Sequence, residues 1–131
     1  MRVLVACEFS GIVRDEFIKT GCEAWSCDLL PSEKKSPFHI QGDVLEVLSG
    51  KRKWDILIAF PPCTHLCSSG ARWFPEKAKE QKDALNFVLQ LAAAPIARIA
   101  IENPVGVLSS FWQSPVQIIH CLLYTSDAAD E

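Results

Sequence analysis

Two adjacent prolines stop a short aliphatic run in this chain: Asp55-Ile56-Leu57-Ile58-Ala59 is followed at once by Phe60-Pro61-Pro62-Cys63. The run reads as a buried strand, and proline, which has no N–H to give a ladder, cannot continue it. A second run of this kind, Ile96-Ala97-Arg98-Ile99-Ala100-Ile101, ends in Glu102-Asn103-Pro104. In open α/β sheets ligands bind just beyond the carboxyl ends of the strands. Cys63 and Glu102 are therefore expected where a substrate lies, as a nucleophile and an acid. A cysteine is most often a small buried hydrophobe, and a glutamate at a strand end is usually just solvated. A Pro-Pro step that fixes two φ angles to present a thiol, with a carboxylate at an equivalent strand tip, favours chemistry over both.

The rest of the chain alternates strand and helix. Val3-Leu4-Val5-Ala6-Cys7 predicts a first strand, Glu8-Phe9-Ser10-Gly11 a turn, and Ile12 to Thr20 a helix closed by Gly21. Glu23 to Cys27 predicts a second strand ending at Asp28, Pro31 to Pro37 an exposed loop, and His39 to Asp43 a short third strand and turn. A brief helix is expected at Val44–Leu48 and a fourth strand at Trp54–Ala59, after the basic loop Gly50-Lys51-Arg52-Lys53, read as a solvated face. The clearest helix is Glu76 to Ala94, where Ala84, Leu85, Val88, Leu91 and Ala92 recur at helical spacing before Pro95. Such alternation implies a mainly parallel sheet with right-handed crossovers and helices on both faces.

A chain of 131 residues suffices for one domain and one core. With 49% hydrophobic and 22% charged residues it has the balance of a folded globular protein, not of a disordered one. Its apolar runs are far shorter than a bilayer span, and the first strand follows Met1-Arg2 directly, so no membrane and no signal peptide are expected. Six cysteines in such a chain are read as free thiols of a reducing, cytoplasmic compartment.

The segment Cys121 to Glu131 fits nothing before it. It can be encoded, in frame, by the mosaic-end adapter of transposase-based sequencing libraries, and the adapter's first base would complete a CAC codon for His120. Residues 1–120 are accordingly expected to be a partial catalytic domain and residues 121–131 a non-native tail. Leaving out Asp127, Asp130 and Glu131 brings the formal charge of −3 to zero, with no basic stripe.

The motifs together resemble those of the S-adenosylmethionine-dependent DNA cytosine-5 methyltransferases, most of all their small phage-type relatives, over Val3 to about Leu108. Phe9-Ser10-Gly11 is similar to the family's Phe-x-Gly turn, although Ile12 or Val13 stands where a further glycine is usual. Asp28 corresponds to the acid that accepts from the ribose hydroxyls, and Gly42-Asp43 to the step that sets a carboxylate near the adenine amino group. Pro61-Pro62-Cys63-Thr64-His65-Leu66-Cys67-Ser68-Ser69-Gly70 resembles the nucleophile motif, with Thr64 in place of Gln. Glu102-Asn103-Pro104-Val105-Gly106 resembles the Glu-Asn-Val-x-Gly motif, with Pro104 departing from it.

The resemblance implies a Rossmann-like methyltransferase fold and S-adenosyl-L-methionine as cofactor, held by Phe9, Ser10, Gly11, Asp28, Asp43 and Pro61. It implies DNA as partner of a monomer, with Pro62, Thr64 and Arg72 on the substrate side. Cys63 is the implied nucleophile and Glu102 the acid on ring N3, with Asn103 bracing the loop and His65 to Phe74 closing over the base. Asp28 and Asp43 are expected to serve the cofactor and not the structure. Three alternatives stand beside this reading. One is amino methylation of adenine or cytosine, whose enzymes carry Asp/Asn/Ser-Pro-Pro and an aromatic, and another is an inactive cofactor-binding relative. The third is a metal site from Cys63, His65 and Cys67 with Cys22 or Cys27, whose spacing lacks the usual Cys-x-x-Cys knuckle. Trp25, Trp54 and Trp112 are read as packing residues and His39 as a loop residue. On the adapter reading, deleting Cys121–Glu131 leaves the thermal midpoint unchanged within error, and a drop of several degrees in a melting experiment would refute it.

Overall fold

In the computed structural model the described residues are 1–62 and 78–103, with 108, 113–115 and 117–118. Their elements run β1 (Arg2–Ala6), α1 (Ile12–Lys19), β2 (Glu23–Asp28), β3 (His39–Gln41), α2 (Val44–Ser49), β4 (Ile56–Ala59), α3 (Ala78–Ala92) and β5 (Arg98–Ile101). The five strands form one all-parallel sheet in the order β3-β2-β1-β4-β5. The chain is thus an α/β protein, and its sheet is wound in two directions from its middle. From β1 it steps outward to β2 and β3, then returns past β1 to β4 and β5. Right-handed crossovers taken in opposite directions put their helices on opposite faces, and the packing agrees.

On one face α1 lays Val13, Phe17 and Ile18 against Val3 and Val5 of β1 and Ala24 of β2. On the other, Val44, Leu45, Val47 and Leu48 of α2 and Phe87 and Leu91 of α3 cover Leu4, Ala6, Cys27, Leu57 and Ala59. Val3 through Ala6 are wholly buried, because β1 is central and covered on both sides, which is why it reads as an unbroken apolar run. At the β5 edge the pattern reverts to alternation: Ile99 and Ile101 pack on the α3 side, while Arg98 and Ala100 are exposed. Val88 and Leu91 are the buried positions of the stripe expected in α3, and Phe87 joins them.

Several expected boundaries move. Cys7 leaves the first strand with φ 60°, a left-handed conformation that few side chains adopt. Trp54 and Asp55 precede β4 instead of opening it, as do Ile96 and Ala97 for β5. The basic loop is not merely a solvated face, because the Arg52 guanidinium lies 4.5 Å from the centre of the Trp25 ring and 5.6 Å from that of Trp54. Phe38 meets Trp25 edge-on at 5.4 Å between centroids. Trp25 and Trp54 are packing residues, as expected; Trp112 lies outside the described residues. Among the described residues no helix is long and apolar enough to cross a membrane. Removing the guanidinium in Arg52→Ala is expected to cost about 0.5–1 kcal/mol in chemical denaturation, with a shift in tryptophan emission; Arg52→Lys should restore part of both.

Candidate functional site at the carboxyl edge of the sheet

Parallel pairing sends every strand toward the same edge, and the register aligns their ends. Ala6 lies opposite Cys27 on one side and Ala59 on the other, and Ala59 lies opposite Ile101. One residue further along, Glu102, Phe60, Cys7 and Asp28 therefore follow one another across the sheet. Backbone bonds extend this row past the strands: Glu102 N donates to Ala59 O at 3.0 Å, Phe60 N to Ala6 O at 3.0 Å and Cys7 N to Cys27 O at 2.8 Å. Neighbouring strands lie about 4.8 Å apart, so Glu102 and Asp28, three strand spacings apart, flank a crest roughly 14 Å wide. The reversal of strand order falls between β1 and β4, at its middle.

On the β2 side the structure brings together two of the expected acids. Asp28 ends β2, and its carbonyl accepts from Gly42 N at 2.8 Å, which holds the Gly42-Asp43 step beside it. Both carboxylates also bond the backbone. Asp28 Oδ1 accepts from Leu30 N at 2.9 Å, and Asp43 Oδ1 accepts from Leu45 N at 2.9 Å as the N-cap of α2. The expectation that neither serves the structure is therefore corrected: a short side chain at a strand end is also the nearest acceptor for the turn that follows. Each leaves its Oδ2 without a bond among the described residues.

Next to Asp28 in the row, at the end of β1, stands Cys7, a residue that sequence reading passed over. Burial pushes the Cys7 thiol up from 9.0 to about 12, with the charges of Asp28 and Asp43 adding to the effect. The neighbouring Cys27 thiol, which donates to Gly42 O at 3.5 Å, is raised to about 11 chiefly by burial. Neither is an ionised nucleophile near neutrality.

The turn after β1 is built around a second overlooked residue, Glu8, only 7% exposed. Its Oε2 accepts from Val13 N at 2.6 Å and from the Ser10 hydroxyl at 3.2 Å, and its Oε1 from Arg14 N at 3.2 Å. The reason lies in the N-cap: Gly11 has no side chain to offer, and with φ 79° and an Arg14 guanidinium packed where its Cβ would be, any other residue there is strained and has to displace the guanidinium. Arg14 is itself buried. It donates through Nε to Asp15 at 2.9 Å, and through one terminal nitrogen to the hydroxyls of Ser26 at 3.0 Å and Ser32 at 3.3 Å. Ser26 lies 2.7 Å from Nδ1 of His39, whose Nε2 is 3.0 Å from Leu30 O. His39 is thus part of a polar chain and not a bare loop residue. Phe9 O accepts from Glu33 N at 2.8 Å, which ties the loop after β2 to the same turn. Phe9, Ile12, Leu29 and Leu30 remain exposed around this edge.

On the β4 side Pro61 is buried and Pro62 exposed, while Glu102 is exposed past β5. Asn103 is half-buried, and its amide nitrogen and oxygen are buried without a partner among the described residues; the loop it is expected to brace, from Pro104 on, lies outside them. Cys63, Thr64 and Arg72 lie outside the described residues, as do the rest of the expected loop from His65 to Phe74, Pro104 to Gly106 and the segment Cys121–Glu131. Among the described residues no group of three or more His, Cys, Asp and Glu is placed to hold a metal ion. The opposite edge carries an open hollow at Met1, Arg2, Glu23 and Asp55, where Arg2 is already matched, its Nε with Glu23 at 2.8 Å and its N–H with Asp55 at 2.7 Å. No family model matches this chain, and neither a curated protein nor a solved structure is found similar to it.

The raised thiols give stability a definite pH dependence. Below pH 9 Cys7 is protonated whether the chain is folded or not, and its effect is constant. Above pH 9 only the unfolded chain releases the proton readily, so stability is expected to fall as pH rises from 9.0 toward about 12. Denaturant titrations at pH 8 and pH 10 should show this fall, and Cys7→Ala should lessen it.

Proposed function

We propose that this chain carries the cofactor-binding and nucleophile-bearing part of an S-adenosylmethionine-dependent DNA cytosine-5 methyltransferase with a Rossmann-like catalytic domain. The observation that carries the reading is the aligned row of strand ends. Asp28, with Asp43 beside it, lies on one side of the β1–β4 reversal, and Phe60-Pro61-Pro62 with Glu102 lies on the other. Brought together at the carboxyl edge, they are two acids suited to a nucleoside and a strand tip that leads directly into a cysteine, with a carboxylate on the next strand.

The residues present fit the cofactor. Ribose hydroxyls and an adenine amino group are hydrogen-bond donors, and the open Oδ2 atoms of Asp28 and Asp43 are acceptors for them. When bound, S-adenosylmethionine supplies an electrophilic methyl group on a sulfonium. The protein's task is to make carbon 5 of cytosine nucleophilic. Addition of the Cys63 thiolate to carbon 6 breaks the ring's aromaticity and leaves carbon 5 enamine-like. Negative charge then develops toward ring N3, where Glu102 donates a proton or a hydrogen bond. The exposed carboxyl of Glu102, one strand from Phe60, is available for this. Once carbon 5 carries the methyl, loss of its proton and departure of the thiolate restore the aromatic ring. A duplex substrate must turn its cytosine out of the stack to reach such a site. The Asn103 amide beside Glu102, without a partner among the described residues, supports the same reading, because a buried orphan of this kind costs about 1–3 kcal/mol unless a partner arrives.

In a chain bearing the whole catalytic domain, Cys63→Ser is expected to lose orders of magnitude in methyl transfer from labelled cofactor, since an alcohol near its ordinary pKa is a poor nucleophile. Glu102→Gln should slow transfer and spare cofactor binding. Asp28→Ala should weaken binding of S-adenosylhomocysteine by about 1–3 kcal/mol in calorimetry. Full transfer by Cys63→Ser would remove the covalent mechanism and favour amino methylation.

A further inference from the structure

In an open parallel sheet wound outward from β1, the helix after β1 ordinarily offers its first N–H groups to the phosphates of a nucleotide. Here that position is taken. Ile12 N donates to the Ser10 hydroxyl at 3.2 Å, Val13 N to Glu8 Oε2 at 2.6 Å and Arg14 N to Glu8 Oε1 at 3.2 Å, and Asp15 N begins the helix's own bonds at Gly11 O. No donor of the first turn of α1 is left over. The occupying group is a carboxylate, fixed by the Ser10 hydroxyl and almost closed to solvent. The close approach that a glycine permits at this turn is likewise used up, by the Arg14 guanidinium packed under Gly11.

We propose that Glu8 determines the ligand class of this edge: its carboxylate stands permanently where a phosphate would bind, so the crevice accepts a nucleoside without phosphates and rejects phosphate-bearing nucleotides. An incoming phosphate meets like charge and finds no free N–H. The neighbouring carboxylates act in the same direction. Asp28 and Asp43 stand at the same strand ends with their Oδ2 atoms unbonded among the described residues, and they add negative charge there against the one Arg14 guanidinium under Gly11. A ligand without phosphate is favoured. Locating that ligand at this edge rests on the proposed cofactor site; the blocked anion position does not.

The test is calorimetry on the full chain, wild type, E8A and E8Q, with inorganic pyrophosphate, ADP and S-adenosylhomocysteine as separate probes. Wild type is expected to give no heat with pyrophosphate or ADP. Glu8→Ala, which frees Val13 N and Arg14 N, is expected to bind pyrophosphate at least tenfold more tightly than wild type, with salt weakening the effect. In 15N–1H spectra the amides of Val13 and Arg14 should shift on addition. Glu8→Gln keeps an acceptor without the charge and should gain less. If E8A does not fold by circular dichroism, E8Q decides the matter: a gain in pyrophosphate affinity supports the blocking role and none overturns it. Folded E8A with no gain, or wild type that binds ADP in competition with S-adenosylhomocysteine, also overturns it. Failure of wild type to bind S-adenosylhomocysteine, alongside a pyrophosphate gain in E8A, leaves the blocking role supported and removes the cofactor reading. Binding of S-adenosylhomocysteine without any gain does the reverse.

Discussion

Parallel pairing of β1 with both β2 and β4 is the constraint on which everything else at this edge depends. Because Ala6 is matched to Cys27 on one side and Ala59 on the other, the next residues of three strands emerge level with one another. The pairing survives because β1 is buried on both faces, where a slip of one residue would send every side chain to the wrong helix layer. A level row of strand ends is what lets short turns reach each other: the Glu8 amide still bonds Cys27, and Gly42 still bonds Asp28. Loops of a few residues thereby converge without any helix having to bend over the sheet.

Beneath that row lies polar chemistry unusual for a sheet core. Glu8 and Arg14 both come from the start of the first βα unit, both are buried, and each is satisfied by different partners. The carboxylate closes the helix end, where the dipole favours negative charge. The guanidinium reaches across to β2 and to the loop that follows it. There the Ser26 hydroxyl, taking a bond from Arg14, is placed to pass its own proton toward His39 Nδ1, which leaves Nε2 as the donor to Leu30 O. Charged groups with so little solvent are tolerated only when they are paired or hydrogen-bonded. Together they hold the turn after β1 and the loop after β2 as one unit.

The sheet was legible in the sequence because its signals are local. Aliphatic runs at Val3–Ala6 and Ile56–Ala59, stopped by polar or proline steps, have the same meaning wherever the chain places them. The stripe in α3 likewise announces a buried face, and Val88 and Leu91 occupy it. Of the candidate site, Asp28 was legible as the acid that closes a strand, whereas Asp43, after the mixed segment His39-Ile40-Gln41-Gly42, was legible only through the resemblance of Gly42-Asp43 to a family motif. Glu8 and Arg14 were not. Each is a charged residue in a stretch that looks solvent-facing, and besides the near neighbours Ser10 and Asp15 its partners lie five to eighteen residues away.

The sequence by itself determined the order of strands and helices, the parallel class that alternation imposes, and the placing of a cysteine directly after a proline-stopped strand. These depend on side-chain periodicity and on the missing N–H of proline, which act within a few residues. Only the tertiary structure decided that Glu102, Phe60, Cys7 and Asp28 stand in one row, because register is a property of paired strands. It also decided that the first helix would be capped by a glutamate three residues before its glycine N-cap, and that an arginine would pack under that glycine. Such choices rest on close contacts and dipoles in three dimensions, and no pattern along the chain specifies them.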